Sequence, residues 1–167
     1  LGNDNFLNYV VNFGFGKKTN IDLAGEIRGD ISNLYSGRHI NFATASFGQG
    51  IGITSLQLIN AYSAVANGGK LMRPYVVGEM IYPDGRTEKT KSEIVGIPIT
   101  EKTSAQLKAM LVSVVENGFD KARVQGYDIA AKTGTAQIPK AGGYSDDFIH
   151  DMVGFAPAFS PKFTILI

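Results

Sequence analysis

The chain contains no cysteine and no tryptophan, and only two of its 167 residues are histidines, His39 and His150. Without cysteine, disulfide bonds and thiolate chemistry are excluded. Two histidines are too few for a metal site built from imidazole ligands. His150 stands beside Asp146, Asp147 and Asp151, but no spaced ligand set accompanies it. We interpret it as a solvated loop residue before a strand, and we expect no metal site.

The chain also lacks an excess of either charge and any long apolar run. Its 16 Lys and Arg residues nearly balance 15 Asp and Glu residues, for a net charge of +1. This balance gives no electrostatic basis for binding nucleic acid. No apolar run approaches the roughly 20 residues that a membrane-spanning helix needs. A hydrophobic content of 44% in 167 residues instead indicates one globular domain with a real core.

Apolar periodicity and capping residues predict three helices. Thr54 resembles an N-cap, with Gln57 three residues later as its capping-box partner. Thr100 caps the longest helix, in which Leu107, Met110 and Leu111 recur at helical spacing. The predicted helices span residues 4–13, 54–68 and 100–116. The glycine-rich residues 14–53 are predicted to be irregular.

The remaining periodic segments predict strands. Residues 75–89 form a hairpin with a Pro-Asp-Gly turn at 83–85. Three further strands are expected near residues 127–138, 152–156 and 162–167, separated by loops at 139–147 and 157–161. Their short connections favour antiparallel pairing. The predicted fold class is therefore α+β, with an antiparallel sheet flanked by helices.

The segment "IAAKTGTAQI", residues 129–138, places a lysine and two threonines around a glycine inside a strand-like run. In a strand of period two, Thr133 and Thr135 share one face, while Lys132 lies on the other face or near the rim. Gly134 lets a ligand approach the backbone. Nearby edge N–H groups could receive a developing oxyanion, which suits a substrate with a carboxylate and a reactive carbonyl. The alternative is a solvated lysine on an edge strand, with threonines that serve only β-propensity.

The same segment resembles the K-[ST]-G-T signature of penicillin-binding proteins. Other segments resemble the class B transpeptidase domain in order and spacing: "FGFGKKTNIDLAGE", "ASFGQGIGITSLQLINAYSAVANGGKLMRPYVV", "KSEIVGIPIT" with "LVSVVENG", and "DMVGFAPAFSPKFTILI". The resemblance implies a fold like that of serine β-lactamases and D,D-peptidases. The chain departs from the usual pattern of the family at Ala131 and at Phe119. It also departs at Asp151 and Met152, which replace the frequent Ser and Phe.

The resemblance implies a peptidoglycan D,D-transpeptidase that cross-links stem peptides ending in D-Ala-D-Ala through an acyl-serine intermediate, and that β-lactams acylate. Lys132 would supply positive charge to the site. The Thr133 and Thr135 hydroxyls would bind the substrate carboxylate, and the Thr135 backbone N–H would form half of an oxyanion hole. Gln137 would line the same strand edge. No metal or organic cofactor is implied.

The serine nucleophile of the family is missing from these residues. No serine is followed three positions later by lysine, and no Ser-x-Asn occurs. We therefore expect residues 1–167 to be the C-terminal part of one transpeptidase domain, without the nucleophile-bearing part and the extreme C-terminus. Alone, the chain should be inactive. Family membership would place the complete protein outside the bacterial cytoplasmic membrane, anchored by an N-terminal segment, beside other proteins of cell-wall synthesis.

Two alternatives stay open at this point. A serine β-lactamase would share the fold but hydrolyse its acyl-enzyme quickly, although the "FGQGI" and "VGFAP" segments fit a transpeptidase better. A β-lactam sensor or a pseudoenzyme scaffold would share the fold without the reaction. The residues that hold the nucleophile would decide between an enzyme and a scaffold. Tyr144, in the predicted loop, could lie over the site entrance or simply pack in the loop.

Overall fold

A three-stranded antiparallel sheet packed against two helices dominates the computed structural model, which describes residues 2–167. The helices are α1 (Asn3–Asn12), α2 (His39–Ala45), α3 (Ser55–Ala66) and α4 (Glu101–Gly118), with 3₁₀ turns at Ser32–Ser36 and Asp120–Ala122. The strands are β1 (Leu71–Met72), β2 (Glu79–Ile81), β3 (Thr87–Lys89), β4 (Ile94–Gly96), β5 (Ala130–Lys140), β6 (Gly143–Ala156) and β7 (Phe163–Leu166).

Every strand pair in the described residues is antiparallel. The main sheet has the order β5-β6-β7, so that β5 and β7 are its edge strands. Two small pairs accompany it, β1 with β4 and β2 with β3. In the β2–β3 hairpin, the Gly85 N–H donates to the Tyr82 carbonyl at 2.9 Å, which confirms the predicted Pro-Asp-Gly turn.

Side-chain caps start α3 and α4 at the predicted residues. The Thr54 hydroxyl accepts the Gln57 N–H, and the Gln57 side chain accepts the Thr54 N–H, so the capping box is complete. The Thr100 hydroxyl accepts the Thr103 N–H at the start of α4. Because the first N–H groups of a helix have no partner within the helix, these bonds define where each helix begins.

The larger core cluster lies between the main sheet and helices α3 and α4. Ala130 of β5 and Phe155 of β6 are 0% and 1% exposed, and they pack with Val65 of α3. Ser104 of α4 is buried and donates from its hydroxyl to the Val65 carbonyl at 2.7 Å. This hydrogen bond links α4 to α3. It also gives the buried hydroxyl the partner that it would otherwise lack. The helices therefore hold one face of the sheet.

A second core cluster gathers the N-terminal part of the chain. It comprises Ile31, Leu34, Phe42 and Ala45, against which side chains of α1 pack. Phe6 meets Phe42 edge to face, with ring centroids 6.0 Å apart and planes at 81°. The segment 14–53, predicted to be irregular, therefore contains a short α-helix, α2, that the sequence pattern missed. Arg38 precedes α2 without a side-chain capping bond, so its start carries no local signal.

The predicted loop at 139–147 is wrong, because β5 continues to Lys140 and β6 begins at Gly143. The two strands form one long hairpin that turns at residues 141–142. Gly142 has a positive φ of 85°, a backbone conformation that glycine adopts without strain. His150, interpreted as a loop residue, therefore lies within β6, where it pairs with Thr135 of β5.

Gln57 joins α3 to the glycine-rich segment. Its side chain is 2% exposed, and its amide nitrogen donates to the carbonyls of Lys17 and Arg28, each at 2.7 Å. The amide oxygen of Gln57 accepts the Thr54 N–H at 3.0 Å. One buried amide thus satisfies the cap of α3 and two carbonyls of an otherwise irregular segment.

Replacing this amide should destabilise the fold strongly. In Gln57→Met, which keeps the side-chain length, two carbonyls and the Thr54 N–H would lose their partners. We expect a loss of about 3 kcal/mol in the free energy of unfolding, measured from urea denaturation at unchanged m-value. Gln106→Met on the exposed side of α4 is the matched control and should change it by less than about 0.5 kcal/mol. Equal effects of the two variants would contradict this role of Gln57.

Candidate functional site

The Lys-Thr-Gly-Thr segment lies in β5 directly opposite residues 150–153 of β6. The register pairs Lys132 with Val153, Thr133 with Met152, Gly134 with Asp151, and Thr135 with His150. Regular pairing ends near Gln137, where a bulge shifts the register before Pro139. Because β5 is an edge strand, proline is tolerated there without loss of a sheet hydrogen bond.

Strand alternation separates the side chains of this segment onto two faces. Ala130, Lys132 and Gly134 belong to the face packed by α3 and α4, because Ala130 is part of the core beneath those helices. Thr133 and Thr135 belong to the opposite face. The structure therefore gives the two threonines one shared face, as their spacing predicts.

The main chain of both threonines faces the open edge of the sheet. Met152 exchanges both of its main-chain hydrogen bonds with Ile167, at 2.9 and 3.0 Å, so its N–H and C=O point toward β7. Its pair with Thr133 is therefore a non-hydrogen-bonded pair of the antiparallel ladder, and the Thr133 main chain points away from β6. Because the main-chain direction alternates along a strand, the Thr135 main chain also points away from β6. Its N–H is thus a donor at the free edge of β5.

Lys132 reaches this same edge with its side chain. The Lys132 side chain is exposed, and its Nζ donates to the Thr133 carbonyl oxygen at 2.8 Å. The Lys132 side chain therefore extends from the helix-packed face, and its ammonium lies at the open edge. The lysine charge and the threonine N–H groups are consequently neighbours, although the Lys132 and Thr133 side chains start on different faces.

A groove of about 710 Å³ opens over the threonines, within the volume range of small-molecule sites. The turn that follows α4 forms one wall and the strands form the other. The lining residues are Phe119, Lys121, Ala122, Thr133, Gly134, Thr135, His150, Asp151, Met152 and Ile167. A smaller cavity, of about 380 Å³, lies elsewhere between the end of α1 and Pro98. The groove is the cavity that contains the predicted threonines.

Within the groove, Thr135 contacts the next strand through its hydroxyl. Its Oγ1 lies 3.3 Å from Nδ1 of His150. The His150 ring stacks near the Phe148 ring, with centroids 6.1 Å apart and planes at 29°. Sequence reasoning missed His150 as a site residue because its partner is set by the strand register and by no local motif.

On the helix-packed face, Asp151 covers the bare backbone of Gly134. A Cβ added to Gly134 would lie within 2.8 Å of Asp151 Oδ2 and closer still to Oδ1. Burial raises the pKa of the Tyr62 phenol of α3, and the negative charge of Asp151 adds to that rise. Asp151 therefore stands between the strand and α3, in the space that Gly134 leaves empty.

Gln137 and Tyr144 lie further along the hairpin. The Gln137 side-chain amide donates to the Ser145 carbonyl at 3.1 Å, which ties β5 to β6 beyond the bulge. Gln137 does not line the groove, and its contact with substrate stays a prediction. Tyr144 pairs with Pro139 as part of β6.

The groove can bind an anion through neutral donors. The Thr133 and Thr135 hydroxyls lie on the groove face of β5. The Thr135 N–H and the Lys132 ammonium lie at the open edge of the same strand. Among residues 2–167, no cluster of three His, Asp or Glu side chains could hold a metal ion. Within the same range, no helix is both long and apolar enough to cross a membrane.

Comparison with known proteins identifies the family. The model of the penicillin-binding protein transpeptidase domain matches residues 1–167. Stage V sporulation protein D of Bacillus subtilis is 41% identical over the whole chain, and the match covers 26% of that protein. Peptidoglycan D,D-transpeptidase FtsI of Escherichia coli is 33% identical over 93% of the chain and 25% of its own length. The crystal structure of penicillin-binding protein 3 from Mycobacterium tuberculosis with ampicillin superposes with a TM-score of 0.88 at 30% identity, over 96% of the chain and 38% of that structure.

The chain belongs to the penicillin-binding protein transpeptidase family, and its relatives are class B members of that family. The predicted α+β fold of this family is confirmed by the structural match. The chain spans about a quarter of the length of the curated relatives, at 26% and 25% of theirs.

The close approach of Asp151 to Gly134 generates a double-variant prediction. Gly134→Ala should lower the free energy of unfolding by about 1–2 kcal/mol, because the new methyl group must displace the carboxylate. In the Asp151→Ala background, the same change should cost much less, because the obstructing carboxylate is gone. Urea denaturation of the four proteins measures this coupling. Gly78→Ala, where an added Cβ meets nothing within 4 Å, is the control. Additive costs would contradict the contact.

Proposed function

We propose that this chain is the substrate-binding part of a peptidoglycan D,D-transpeptidase, which cross-links stem peptides through an acyl-serine intermediate. The observation that carries the proposal is the joint placement of the Thr133 and Thr135 hydroxyls in one groove. The same strand presents the Thr135 N–H and the Lys132 ammonium at its open edge. Family membership supplies the reaction class, and this geometry supplies a binding mode for it.

The carboxylate of the terminal D-alanine would accept hydrogen bonds from the two threonine hydroxyls. A substrate strand lying along the open edge of β5 would pair with its free main-chain groups, as peptides do when they extend a sheet. Its reactive carbonyl oxygen would then meet the Thr135 N–H, one donor of an oxyanion hole. Such a donor, aimed where charge develops, typically accounts for about 3 kcal/mol of transition-state stabilisation.

The Lys132 ammonium would act through the field that it creates at this edge. In the present arrangement its Nζ is held by the Thr133 carbonyl at 2.8 Å, next to the proposed path of the substrate. A positive charge at this position attracts the substrate carboxylate and stabilises negative charge on the reacting carbonyl. We therefore assign Lys132 an electrostatic role in catalysis.

The nucleophile of this reaction would come from outside residues 1–167. We propose that the chain forms the C-terminal part of a single transpeptidase domain in a longer protein, and that this protein works at the outer face of the bacterial cytoplasmic membrane with other cell-wall proteins. A relative is known in complex with ampicillin, which supports β-lactams as ligands of the complete site.

Labelling with a fluorescent penicillin tests the proposal. The complete protein should label covalently, and peptide mapping should place the label on a serine outside residues 1–167. The isolated chain should not label, because it lacks the attacking hydroxyl. A label that turns over rapidly would indicate a β-lactamase, whereas a complete protein that does not label would indicate a scaffold. Either outcome would overturn the transpeptidase assignment.

The role of Lys132 predicts a separate effect. In the complete protein, Lys132→Met should lower the rate of penicillin acylation by about 10²-fold, because the positive charge at the substrate edge is lost. Lys140→Met, at the exposed far end of the same strand, should leave the rate within about twofold. The measurement is the second-order acylation constant, with thermal unfolding as a check on folding. Similar rates for the two variants would refute the role of Lys132.

A further inference from the structure

His150 is the one side chain of β6 that contacts the threonine pair by a hydrogen bond in the described residues. Its Nδ1 lies 3.3 Å from Thr135 Oγ1, and both residues line the groove. The two residues are directly paired across the strands, which keeps this contact in place. The Phe148 ring lies beside the imidazole, with ring centroids 6.1 Å apart.

This contact determines where the Thr135 hydroxyl can send its proton. A hydroxyl has one proton to donate and two lone pairs that accept. If Nδ1 of His150 accepts, that proton is used within the protein. If Nδ1 carries hydrogen, His150 donates to Oγ1, and the Thr135 proton becomes available to an anion in the groove. The imidazolium form always donates, and it also adds positive charge beside the anion.

We propose that His150 is a positioning residue of the carboxylate subsite. By donating from Nδ1 to Oγ1, it orients the Thr135 hydroxyl so that its proton is directed to the ligand carboxylate. This inference rests on the proposed transpeptidase function. It adds a residue outside the Lys-Thr-Gly-Thr segment that governs preference for ligands with a free carboxylate.

Two other charged residues line the same groove, Lys121 on the turn after α4 and Asp151 on β6. Neither of them forms a hydrogen bond with the Thr135 hydroxyl in the described residues, whereas His150 does. The direction of that hydroxyl therefore depends on His150.

The experiment compares benzylpenicillin with its methyl ester on the complete protein. The two ligands share the reactive lactam, so the ratio of their acylation constants isolates recognition of the carboxylate from the reactivity of the nucleophile. At neutral pH the acid carries an ionised carboxylate and the ester carries none. We expect the acid-to-ester ratio of the unmodified protein to exceed that of a variant without the Nδ1 donor by about tenfold.

Variants of the two histidines supply the controls. In His150→Phe, which keeps an aromatic ring but has no donor, the acid-to-ester ratio should fall about tenfold. His39→Phe, on the exposed surface of α2, should behave like the unmodified protein. An unchanged ratio in His150→Phe overturns the inference, and so does an equal loss of rate for acid and ester. Failure of the unmodified protein to react with either ligand refutes the transpeptidase function instead.

Discussion

The register of β5 against β6 is the constraint on which the whole site depends. In the observed register, Thr133 and Thr135 share the groove face and turn their main-chain groups to the open edge. A slip by one residue would move both hydroxyls onto the face packed by the helices. It would also replace the Thr135 N–H at the edge by that of a neighbour. Hydroxyl donors, edge donors and ammonium come together only in this one pairing.

The buried end of the hairpin maintains that register. Ala130 and Phe155 face each other in the core, and the Ala158 N–H donates to the Asp128 carbonyl at 2.8 Å just beyond. Burial declines from Ala131 toward Lys140, where the strand is exposed. Packing energy is thus concentrated at one end of the strand. The donors at the other end can remain open to a ligand, because they need not contribute to the core.

The parts of the fold that could be predicted are those with local signals. The starts of α3 and α4 could be predicted from Thr54 with Gln57 and from Thr100, because capping bonds join residues three positions apart. The shared face of Thr133 and Thr135 follows from strand periodicity alone. The length of the β5–β6 hairpin did not follow, because its extension through Tyr144 depends on hydrogen bonds to residues of the opposite strand. Helix α2 was also not predicted, because its start lacks a side-chain cap and so carries no local signal.

The partners of the motif residues could not be predicted, for the same lack of a local signal. Asp151 and Met152 pair with Gly134 and Thr133, and His150 pairs with Thr135. Each of these β6 residues lies against a motif residue without belonging to the motif. A substitution on β6 can therefore change the surroundings of the motif while the donors of the motif stay in place. The register therefore makes residues 150–152 of β6 direct neighbours of the motif, although no local sequence signal indicates this.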